Sequence, residues 1–479
     1  MLWRDELMSW SIASRSLPGL LATARHVDAA QAAYYFVLHC WMLVFGDSVI
    51  AMRLLSVLAM AGAAACVALL GRRLFGGRGG VAAGLVFAVV PSISRFAQEV
   101  RFYALGVLAA TLATLLLLRA LEKPGWPRWT GFALCVTAVG YLEATALSML
   151  AGQTAVTWLT ARGQHNRQLL LRFAAAAAGG GLLVLPVIIA GEQQAGSQLG
   201  WLAQPGFGFA FPFLANLFYS YPVAVAMLAL AAGAWVSCRM ARSRLDRHAT
   251  AIATVLAVAP VLAVWIASQG SVHYLFPRYL LFTVAGWALL AGAVLSQARP
   301  RQLVAALAVL GLLSARDQYQ IRLPGAHEFA AYPSVGPGSV TSGFAPDYAA
   351  AARAVAVAAA PGDGIVYEQS PYAWWAVDAG LAYYLPRFLP RGVPMPRTLF
   401  VARSAAARAG LYAAACRNPA ACLGHERRVW IVGIAASPNP YRLLSRGEAA
   451  VLSAHYRITR ILHPHDMLAA LLARRRSGA

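Results

Sequence analysis

The fold is decided by the stretch GRRLFGGRGGVAAGLVFAVVPSISRFAQEVRFYAL, residues 71–105. It begins with a cluster of arginines, continues as an apolar run over residues 79–96, and ends at the polar side chains of Gln98 and Glu99. An apolar helix of roughly 20 residues crosses a hydrocarbon layer about 30 Å thick. The stretch therefore predicts a membrane span with a basic end and an acidic end.

The same alternation of apolar runs and short charged clusters continues on both sides of this stretch. Hydrophobic residues make up 59% of the chain and charged residues only 12%, which excludes a soluble domain of this length. We predict ten spans, of which the fourth and fifth form a tight hairpin with its turn near Glu143. Their approximate bounds are 49–70, 79–96, 102–120, 129–144, 145–161, 173–190, 210–237, 249–267, 279–297 and 302–315.

The distribution of charge orients these spans. The net charge of +22 suggests a nucleic-acid partner, but 15 of the 22 Lys and Arg residues before residue 316 fall in alternate loops. That bias marks the cytoplasmic side of a membrane protein, and most of the carboxylates fall on the other face. We therefore expect a multi-pass protein of the bacterial cytoplasmic (inner) membrane, with its acidic face outside the cytoplasm and no nucleic-acid partner.

Residues 1–48 are predicted to form an external segment before the spanning domain of residues 49–315. The short aromatic run at residues 31–46 suits a helix that lies in the membrane interface, with Tyr34, Tyr35 and Trp41 at headgroup depth. Because the polar residues that follow Met1 fall on the external side, we expect a further helix upstream of them.

Residues 316–479 are rich in Gly, Pro and polar residues and predict a small extracytoplasmic α/β domain. We expect a helix over 347–360, buried strands over 364–368 and 428–435, and an Ala-rich helix near 403–415. Cys416 and Cys422 lie close together in this domain, where disulfides persist, but their spacing leaves the pairing open. The other four cysteines lie in or beside apolar helices and are interpreted as core residues.

Four groups of polar residues fall on the external face and carry the candidate chemistry. A carboxylate can deprotonate a hydroxyl or hold a divalent cation, and the planar guanidinium of Arg suits a phosphate. Together they suit a substrate with a lipid tail in the bilayer and a phosphate in the headgroup layer. Each group alone also fits a solvated pair, an interfacial ion pair or a helix-end anchor. The groups are Trp3-Arg4-Asp5-Glu6, Gln98 to Tyr103, Glu143, and His273 to Tyr279.

These residues resemble the GT-C glycosyltransferases, specifically the polyprenyl-phosphate-sugar-dependent protein O-mannosyltransferase and aminoarabinose transferase-like group. The resemblance covers nearly the whole chain, and residues 71–105 carry its most specific part. WRDE at residues 3–6 resembles the acidic motif of the first external loop, AAYYFVLHCWMLVFGDSVIAMRLLSVL at 32–58 its interfacial helix and following span, and FPRYLLF at 276–282 its late Arg-Tyr motif. The turn at Glu143 departs from relatives, which often carry a His there.

The resemblance implies a GT-C-like α-helical polytopic membrane enzyme that inverts the anomeric carbon of a polyprenyl-phosphate sugar. Asp5 would be the catalytic base, and Glu99 would orient the acceptor or, with Asp5, hold Mg²⁺ or Mn²⁺. The remaining candidates divide into donor-phosphate ligands and accessory residues. The former are Arg101, Arg278, His273, Tyr103 and Tyr279; the latter are Glu6, Glu143 and Arg53.

Two other functions are compatible with a multi-pass membrane protein. A lipid-linked sugar flippase or transporter usually carries ionisable residues near mid-span and repeated halves, whereas here the charges lie at span ends. A non-catalytic scaffold would tolerate changes at Glu99 and Arg278. The sequence favours the glycosyltransferase, but it leaves open a mannose or arabinose type of sugar and a protein, lipid or glycan acceptor.

Overall fold

The computed structural model describes residues 1–240, 245–323, 346–368, 375–434 and 439–475, with the side chains of residues 197 and 198 excepted. It is helical up to residue 322, and strands enter only after residue 363. The first fourteen α-helices are α1 (Arg4–Ala13), α2 (Leu17–His26), α3 (Ala32–Phe45), α4 (Val49–Val89), α5 (Pro91–Phe96), α6 (Tyr103–Glu122), α7 (Trp126–Leu142), α8 (Met149–Gly163), α9 (Gln168–Leu199), α10 (Ala210–Phe218), α11 (Tyr221–Ser237), α12 (Arg247–Ala267), α13 (Val284–Leu295) and α14 (Pro300–Gln320).

Four 3-10 segments connect these helices: Ala29–Gln31, Ala144–Ser148, Phe207–Phe209 and Pro277–Thr283. The remaining elements form a small α/β region. After them come α15 (Tyr348–Ala358), β1 (Gly364–Tyr367), α16 (Val377–Phe388), β2 (Arg397–Thr398), β3 (Val401–Arg403), β4 (Ala414–Ala415), α17 (Pro419–Cys422), β5 (Arg428–Ile434), a 3-10 turn at Pro440–Leu443, α18 (Arg446–His455), β6 (Tyr456–Leu462) and β7 (Met467–Arg474).

The chain divides into two compact units. One contains residues 28–322, and the other combines residues 1–27 with the described part of the chain after residue 345. The N-terminal helices α1 and α2 therefore pack with the C-terminal α/β region. The sequence-based division at residues 48 and 315 stays a prediction, because compactness reports packing and not the position of a bilayer.

Each predicted span coincides with helix in the structure. Helix α4 covers the first two spans and is broken at Gly76, whose φ of 80° is accessible to glycine at no steric cost. Five described helices are long and apolar enough to cross a membrane, or six if the helices on either side of a 108° bend near Tyr219 count as one span. The multi-spanning helical fold is confirmed, and the number of ten spans stays a prediction.

Helix α3 corresponds to the predicted interfacial helix. Its end exposes Leu43 and Val44, each with 74% of its surface accessible, as expected of a helix that contacts lipid. Tyr34 and Tyr35, by contrast, are buried. The Tyr35 hydroxyl donates a hydrogen bond of 2.5 Å to the Asp28 carboxylate, and the position of both tyrosines at headgroup depth stays a prediction.

The C-terminal region forms a five-stranded sheet in the order β2-β1-β5-β7-β6. Strand β1 pairs in parallel with β2 and β5, whereas β7 pairs antiparallel with β5 and β6. The predicted helix at 347–360 and both predicted strands are confirmed. The Ala-rich helix near 403–415 was wrong: that segment contains turns and the paired strands β3 and β4, because tertiary pairing overrides local helix propensity even where alanine is abundant.

Candidate active site

Two arginines lie close to one tyrosine ring in the compact unit of residues 28–322. Arg101 immediately precedes the N-cap of α6, and Arg278 lies in the 3-10 segment Pro277–Thr283. Their guanidinium carbons lie 5.8 and 5.6 Å from the centre of the Tyr103 ring. The Tyr279 ring lies 6.4 Å from that of Tyr103 and 5.6 Å from the Arg278 guanidinium. The structure thus brings together four of the five predicted phosphate ligands, from two segments far apart in sequence.

Stacking on aromatic rings orients these guanidinium groups. Arg278 also lies 4.9 Å from the Phe276 ring centre, and Arg101 lies 5.2 Å from that of Phe102. A cation held over a ring face is attracted to the ring electrons while its edge can still donate hydrogen bonds. The cluster therefore offers two oriented cations within the unit formed by residues 28–322.

Glu143 lies beside this cluster. It occupies the turn between α7 and the segment Ala144–Ser148, outside the spanning helices, and only 5% of its surface is exposed. Burial raises the pKa of its carboxyl, and the charges of Arg278 and Arg101 oppose that rise. Its Oε1 atom has no hydrogen-bond partner among the described residues. The alternative in which Glu143 faces water at its turn does not fit this burial.

The close approach of Glu143 to α6 depends on a glycine. A Cβ atom at Gly106 would lie 2.8 Å from Oε2 of Glu143 and 3.3 Å from its Cβ, closer than ordinary contact. Gly106 is one helical turn after Phe102, so the carboxyl lies close to the start of the helix that positions Arg101 and Tyr103. The sequence signal for this arrangement was the glycine itself, but its partner could not be read from spacing.

A cavity of about 730 Å³, including the part open to solvent, adjoins the carboxyl of Glu143. One wall is apolar and is formed largely by α9. The same helix also contributes a second carboxylate, Glu192, and the rest of the lining includes the polar side chains of Gln31, Thr145, Tyr274 and Tyr279. The lining residues are Ala30, Gln31, Phe102, Glu143, Ala144, Thr145, Val187, Ile188, Gly191, Glu192, Ala195, Leu199, Tyr274 and Tyr279.

Glu192 and Tyr274 were not predicted as site residues. The Tyr274 hydroxyl donates hydrogen bonds to both Glu192 oxygens, at 2.8 and 2.9 Å. Burial and the neighbouring Glu192 carboxylate raise the pKa of Tyr274 to about 12, so the hydroxyl stays protonated. Both residues were visible in the sequence as external polar side chains, but nothing there indicated that a loop and α9 meet at this cavity.

Glu99 is held in an ion pair that the sequence analysis missed. Both Nε and Nη2 of Arg95 donate to its Oε1 at 3.0 Å, and both side chains are almost completely buried. Arg95 also lies 5.0 Å from the centre of the Tyr219 ring. The spacing of four residues was the available signal for this pair, although Glu99 lies just beyond the end of α5. The predicted catalytic role of Glu99 stays a prediction.

One predicted phosphate ligand, His273, and one predicted accessory residue, Arg53, are not part of the described cavity lining. His273 is half-buried, and its Nδ1 atom lies 2.9 Å from the carbonyl oxygen of Ser268. Arg53 lies near the start of α4 and is also half-buried. Neither is among the described residues that line the cavity. Their predicted roles stay predictions.

Asp5 belongs to the other compact unit. It lies in the first turn of α1, where Nε of Arg4 is 3.6 Å from its Oδ1 and 24% of its side chain is exposed. Arg4 in turn lies 5.4 Å from the centre of the Trp375 ring, in the C-terminal region. Burial raises the pKa of Tyr412, an effect that Arg4 opposes and Asp5 strengthens, so Tyr412 is an electrostatic neighbour of Asp5.

Glu6, the neighbour of Asp5 in sequence, bonds to the backbone at the start of α1. Glu6 is completely buried, and its Oε2 atom accepts a 3.1 Å hydrogen bond from the backbone N–H of Trp3. The N–H of Leu2 donates to the Tyr384 hydroxyl at 2.7 Å, which attaches the start of α1 to α16. Asp5 is therefore presented on a segment fixed at several points to the C-terminal region.

Metal and disulfide predictions have different outcomes. Within the described ranges, no group of three or more His, Cys, Asp or Glu side chains is arranged to hold a metal ion. Mg²⁺ or Mn²⁺ at Asp5 and Glu99 remains untested. Cys416 and Cys422 form a disulfide in the C-terminal region, while Cys40, Cys66, Cys135 and Cys238 are free thiols.

Comparison with known proteins confirms the resemblance stated above. Residues 32–190 match the family described as dolichyl-phosphate-mannose-protein mannosyltransferase. The fold is similar to that of ArnT from Cupriavidus metallidurans in the apo state, with a TM-score of 0.58 and 14% identity over 92% of this chain and 87% of that one. The same enzyme bound to undecaprenyl phosphate matches with a TM-score of 0.56 and 13% identity over 93% and 87%.

The Archaeoglobus fulgidus oligosaccharyltransferase in complex with zinc and sulfate also matches, with a TM-score of 0.40 and 12% identity, over 91% of this chain and 64% of that one. No curated protein matches the sequence. At these identities, the likeness to ArnT shows a shared fold. The chain therefore shares the fold of ArnT, and its substrates are a separate question.

Proposed function

We propose that this protein is an inverting glycosyltransferase that moves a sugar from a polyprenyl-phosphate donor to an acceptor hydroxyl outside the cytoplasm. The observation that carries the proposal is the pair of guanidinium groups around Tyr103, next to a cavity with an apolar wall. Such a site suits a lipid phosphate, because the cations bind the phosphate and the apolar wall contacts the tail. ArnT, which has the same fold, binds undecaprenyl phosphate.

In the proposed reaction, the acceptor oxygen forms a bond to the anomeric carbon while the bond to the donor phosphate oxygen breaks. The bonding electron pair leaves with the phosphate, which becomes a polyprenyl phosphate monoester, and Asp5 takes the acceptor proton. Arg101 and Arg278 stabilise the negative charge that develops on the phosphate. Direct displacement by the acceptor inverts the anomeric carbon. The sugar, of mannose or arabinose type, and the acceptor class are left for the assay to identify.

Two observations support the proposed location of the reaction. Basic residues concentrate in alternate loops, which favours a cytoplasmic position for those loops. The Cys416–Cys422 disulfide suits a C-terminal region outside the cytoplasm, since cytoplasmic thiols are kept reduced. We therefore propose a bacterial inner-membrane protein with its active site and C-terminal region on the external side. A requirement for Mg²⁺ or Mn²⁺ at Asp5 and Glu99 is part of the proposal and is tested by chelation.

The first test of the proposed function is a screen of undecaprenyl-phosphate sugars with reconstituted protein. We expect transfer of one sugar type, and Arg278→Gln should weaken binding of undecaprenyl phosphate by about 10- to 100-fold, because a charged hydrogen-bond donor is lost. Arg322→Gln is the matched control, since it removes an exposed Arg outside the cluster. Equal binding by both variants would contradict the phosphate site. Movement of lipid-linked sugar across liposomes without any product would support a flippase.

The second test separates Asp5 from Glu6. Asp5→Asn should lower transfer by at least about 100-fold with normal folding, because the proton acceptor is lost. Glu6→Gln should instead lower the free energy of unfolding by about 1 kcal/mol, because it weakens the bond to the Trp3 N–H. Transfer rates and thermal unfolding of both variants are measured together. Full transfer by Asp5→Asn would exclude Asp5 as the base.

A further inference from the structure

Charge balance at the guanidinium cluster gives Glu143 a specific task. Arg101 and Arg278 carry two positive charges, and ionised Glu143 places one negative charge beside them. The sugar donor of the proposed function is a phosphodiester with one negative charge. The product is a phosphate monoester, which carries nearly two negative charges at neutral pH because its second pKa is about 6. Ionised Glu143 therefore complements the donor better than it complements the product.

We propose that Glu143 makes the site discriminate against the spent polyprenyl phosphate monoester in favour of the sugar-bearing diester, and so promotes product release. This inference rests on the proposed function, because it requires the guanidinium pair to bind the phosphate. Glu143 is a positioning and selectivity residue in this view. It takes no part in bond breaking.

The position of Glu143 supports this role. Its carboxyl packs against Gly106 on α6 and lines the same cavity as Phe102 and Tyr279, which contact the two arginines. In this buried setting, water screens charge poorly, so the repulsion between a carboxylate and a phosphate dianion is strong. Oε1 of Glu143 is buried and has no hydrogen-bond partner among the described residues, so its surroundings do not neutralise this oxygen by hydrogen bonding.

A dianionic monoester can be accommodated in two ways, and both weaken its binding. Either Glu143 stays ionised and repels the phosphate, or it takes up a proton, which costs free energy whenever the pH exceeds the pKa of Glu143. Burial raises that pKa and the arginines oppose the rise, which moves the titration of Glu143 above its ordinary range. The discrimination should therefore increase with pH. The other titratable groups that face the cavity are Glu192, Tyr274 and Tyr279.

Glu192 supplies a matched control within the same cavity. It is also a carboxylate, but its two oxygens accept hydrogen bonds from the Tyr274 hydroxyl. The charges that act on the Glu143 carboxyl are those of Arg278 and Arg101. Glu192→Gln removes one negative charge from the cavity wall. Comparison with Glu143→Gln separates an effect of general charge from an effect at the guanidinium pair.

The experiment measures binding of two probes to the full-length protein in nanodiscs at pH 6 and pH 8. The probes are undecaprenyl phosphate, the monoester, and its methyl diester, which lacks a sugar and cannot react. At pH 8, we expect Glu143→Gln to increase the affinity for the monoester about tenfold relative to the diester. Glu192→Gln should change that ratio by less than about twofold. The difference between wild type and Glu143→Gln should shrink at pH 6, where Glu143 is more protonated.

The possible outcomes separate this inference from the proposed function. If both probes bind in an Arg278-dependent way and Glu143→Gln leaves their ratio unchanged at both pH values, the inference is wrong and the phosphate site stands. If neither probe binds, or Arg278→Gln has no effect on either, the proposed function fails first. An equal shift with Glu192→Gln would assign the effect to general cavity charge and overturn the specific role of Glu143.

Discussion

Glu99 and Glu143 are two buried carboxylates of the same compact unit, yet their surroundings differ. Glu99 is paired with Arg95, which lies four residues earlier in the chain. Glu143 meets arginines from two distant segments and lines a cavity. A carboxylate that is paired locally contributes to the formation of its segment, whereas one that is balanced through tertiary contacts can respond to a ligand. The residue that the family resemblance placed in an accessory position thus has the surroundings expected of a ligand-responsive group.

The largest expected effect comes from breaking the ion pair between Arg95 and Glu99. Glu99→Ala should lower the free energy of unfolding by about 3 to 5 kcal/mol, because it leaves the buried Arg95 without its carboxylate. The double variant Arg95→Met/Glu99→Leu should recover most of that loss. Thermal and denaturant unfolding measure both. Gln98→Ala, which removes a half-buried side chain bonded to the Ser94 carbonyl, is the control and should cost less than about 1 kcal/mol.

The same variants test the comparison itself. If Glu99→Ala folds with wild-type stability and loses only transfer, Glu99 acts in the chemistry and the contrast with Glu143 disappears. If the double variant is stable and still transfers sugar, the ion pair is structural and the catalytic role predicted from the resemblance is wrong.

An intermediate effect concerns Glu368, a third buried carboxylate, in the C-terminal region. Burial raises its pKa to about 7, and the Ile434 N–H, which donates to Oε2 at 2.9 Å, opposes the rise. Because the folded pKa lies above the ordinary value of 4.5, the proton stabilises the fold at low pH. That stabilisation, about 1 to 2 kcal/mol, is lost as the pH rises from about 4.5 through 7.

Hydrogen exchange of the β5 amides between pH 5 and pH 8 measures this loss, after correction for the intrinsic rate. Glu368→Gln should exchange at the same corrected rate across the range, because its amide does not titrate. A wild-type protein that becomes more protected as the pH rises would contradict the assigned direction. The result would sharpen the comparison, because the partner of Glu368 in the described part of the chain is a backbone N–H, whereas Glu99 and Glu143 are balanced by arginines.

The smallest effect tests the contact between Glu143 and α6. Gly106→Ala should change the free energy of unfolding by less than about 1 kcal/mol, since the gain in helix propensity offsets the displacement of a flexible side chain. It should nevertheless move the monoester-to-diester affinity ratio by about threefold in the direction of Glu143→Gln. Gly131→Ala on α7, where a Cβ atom meets only ordinary contact with Leu116 at 3.6 Å, is the control. Equal ratios for both variants would show that the contact does not position the carboxyl.

The sequence predicted the helical membrane fold well because hydrophobic burial in a bilayer leaves a direct record in composition. Each long apolar run that predicted a span coincides with helix in the structure, and Arg-rich loops separate several of these runs. The motifs also identified Arg101, Tyr103, Arg278 and Tyr279, which the structure brings together. Local propensity was a poorer guide near residues 403–415, where alanine content suggested a helix and strand pairing prevailed.

What the sequence alone determined is which segments are apolar, where charge is tolerated and which residue types are available, since these are local properties of the chain. Only the tertiary structure decided that Glu143 is buried beside two arginines, that Glu192 bonds Tyr274 across a cavity, and that α1 packs with the C-terminal region. Such contacts join residues separated by tens to hundreds of positions, and no periodicity records them. The physical reason is that packing and charge balance depend on three-dimensional neighbours.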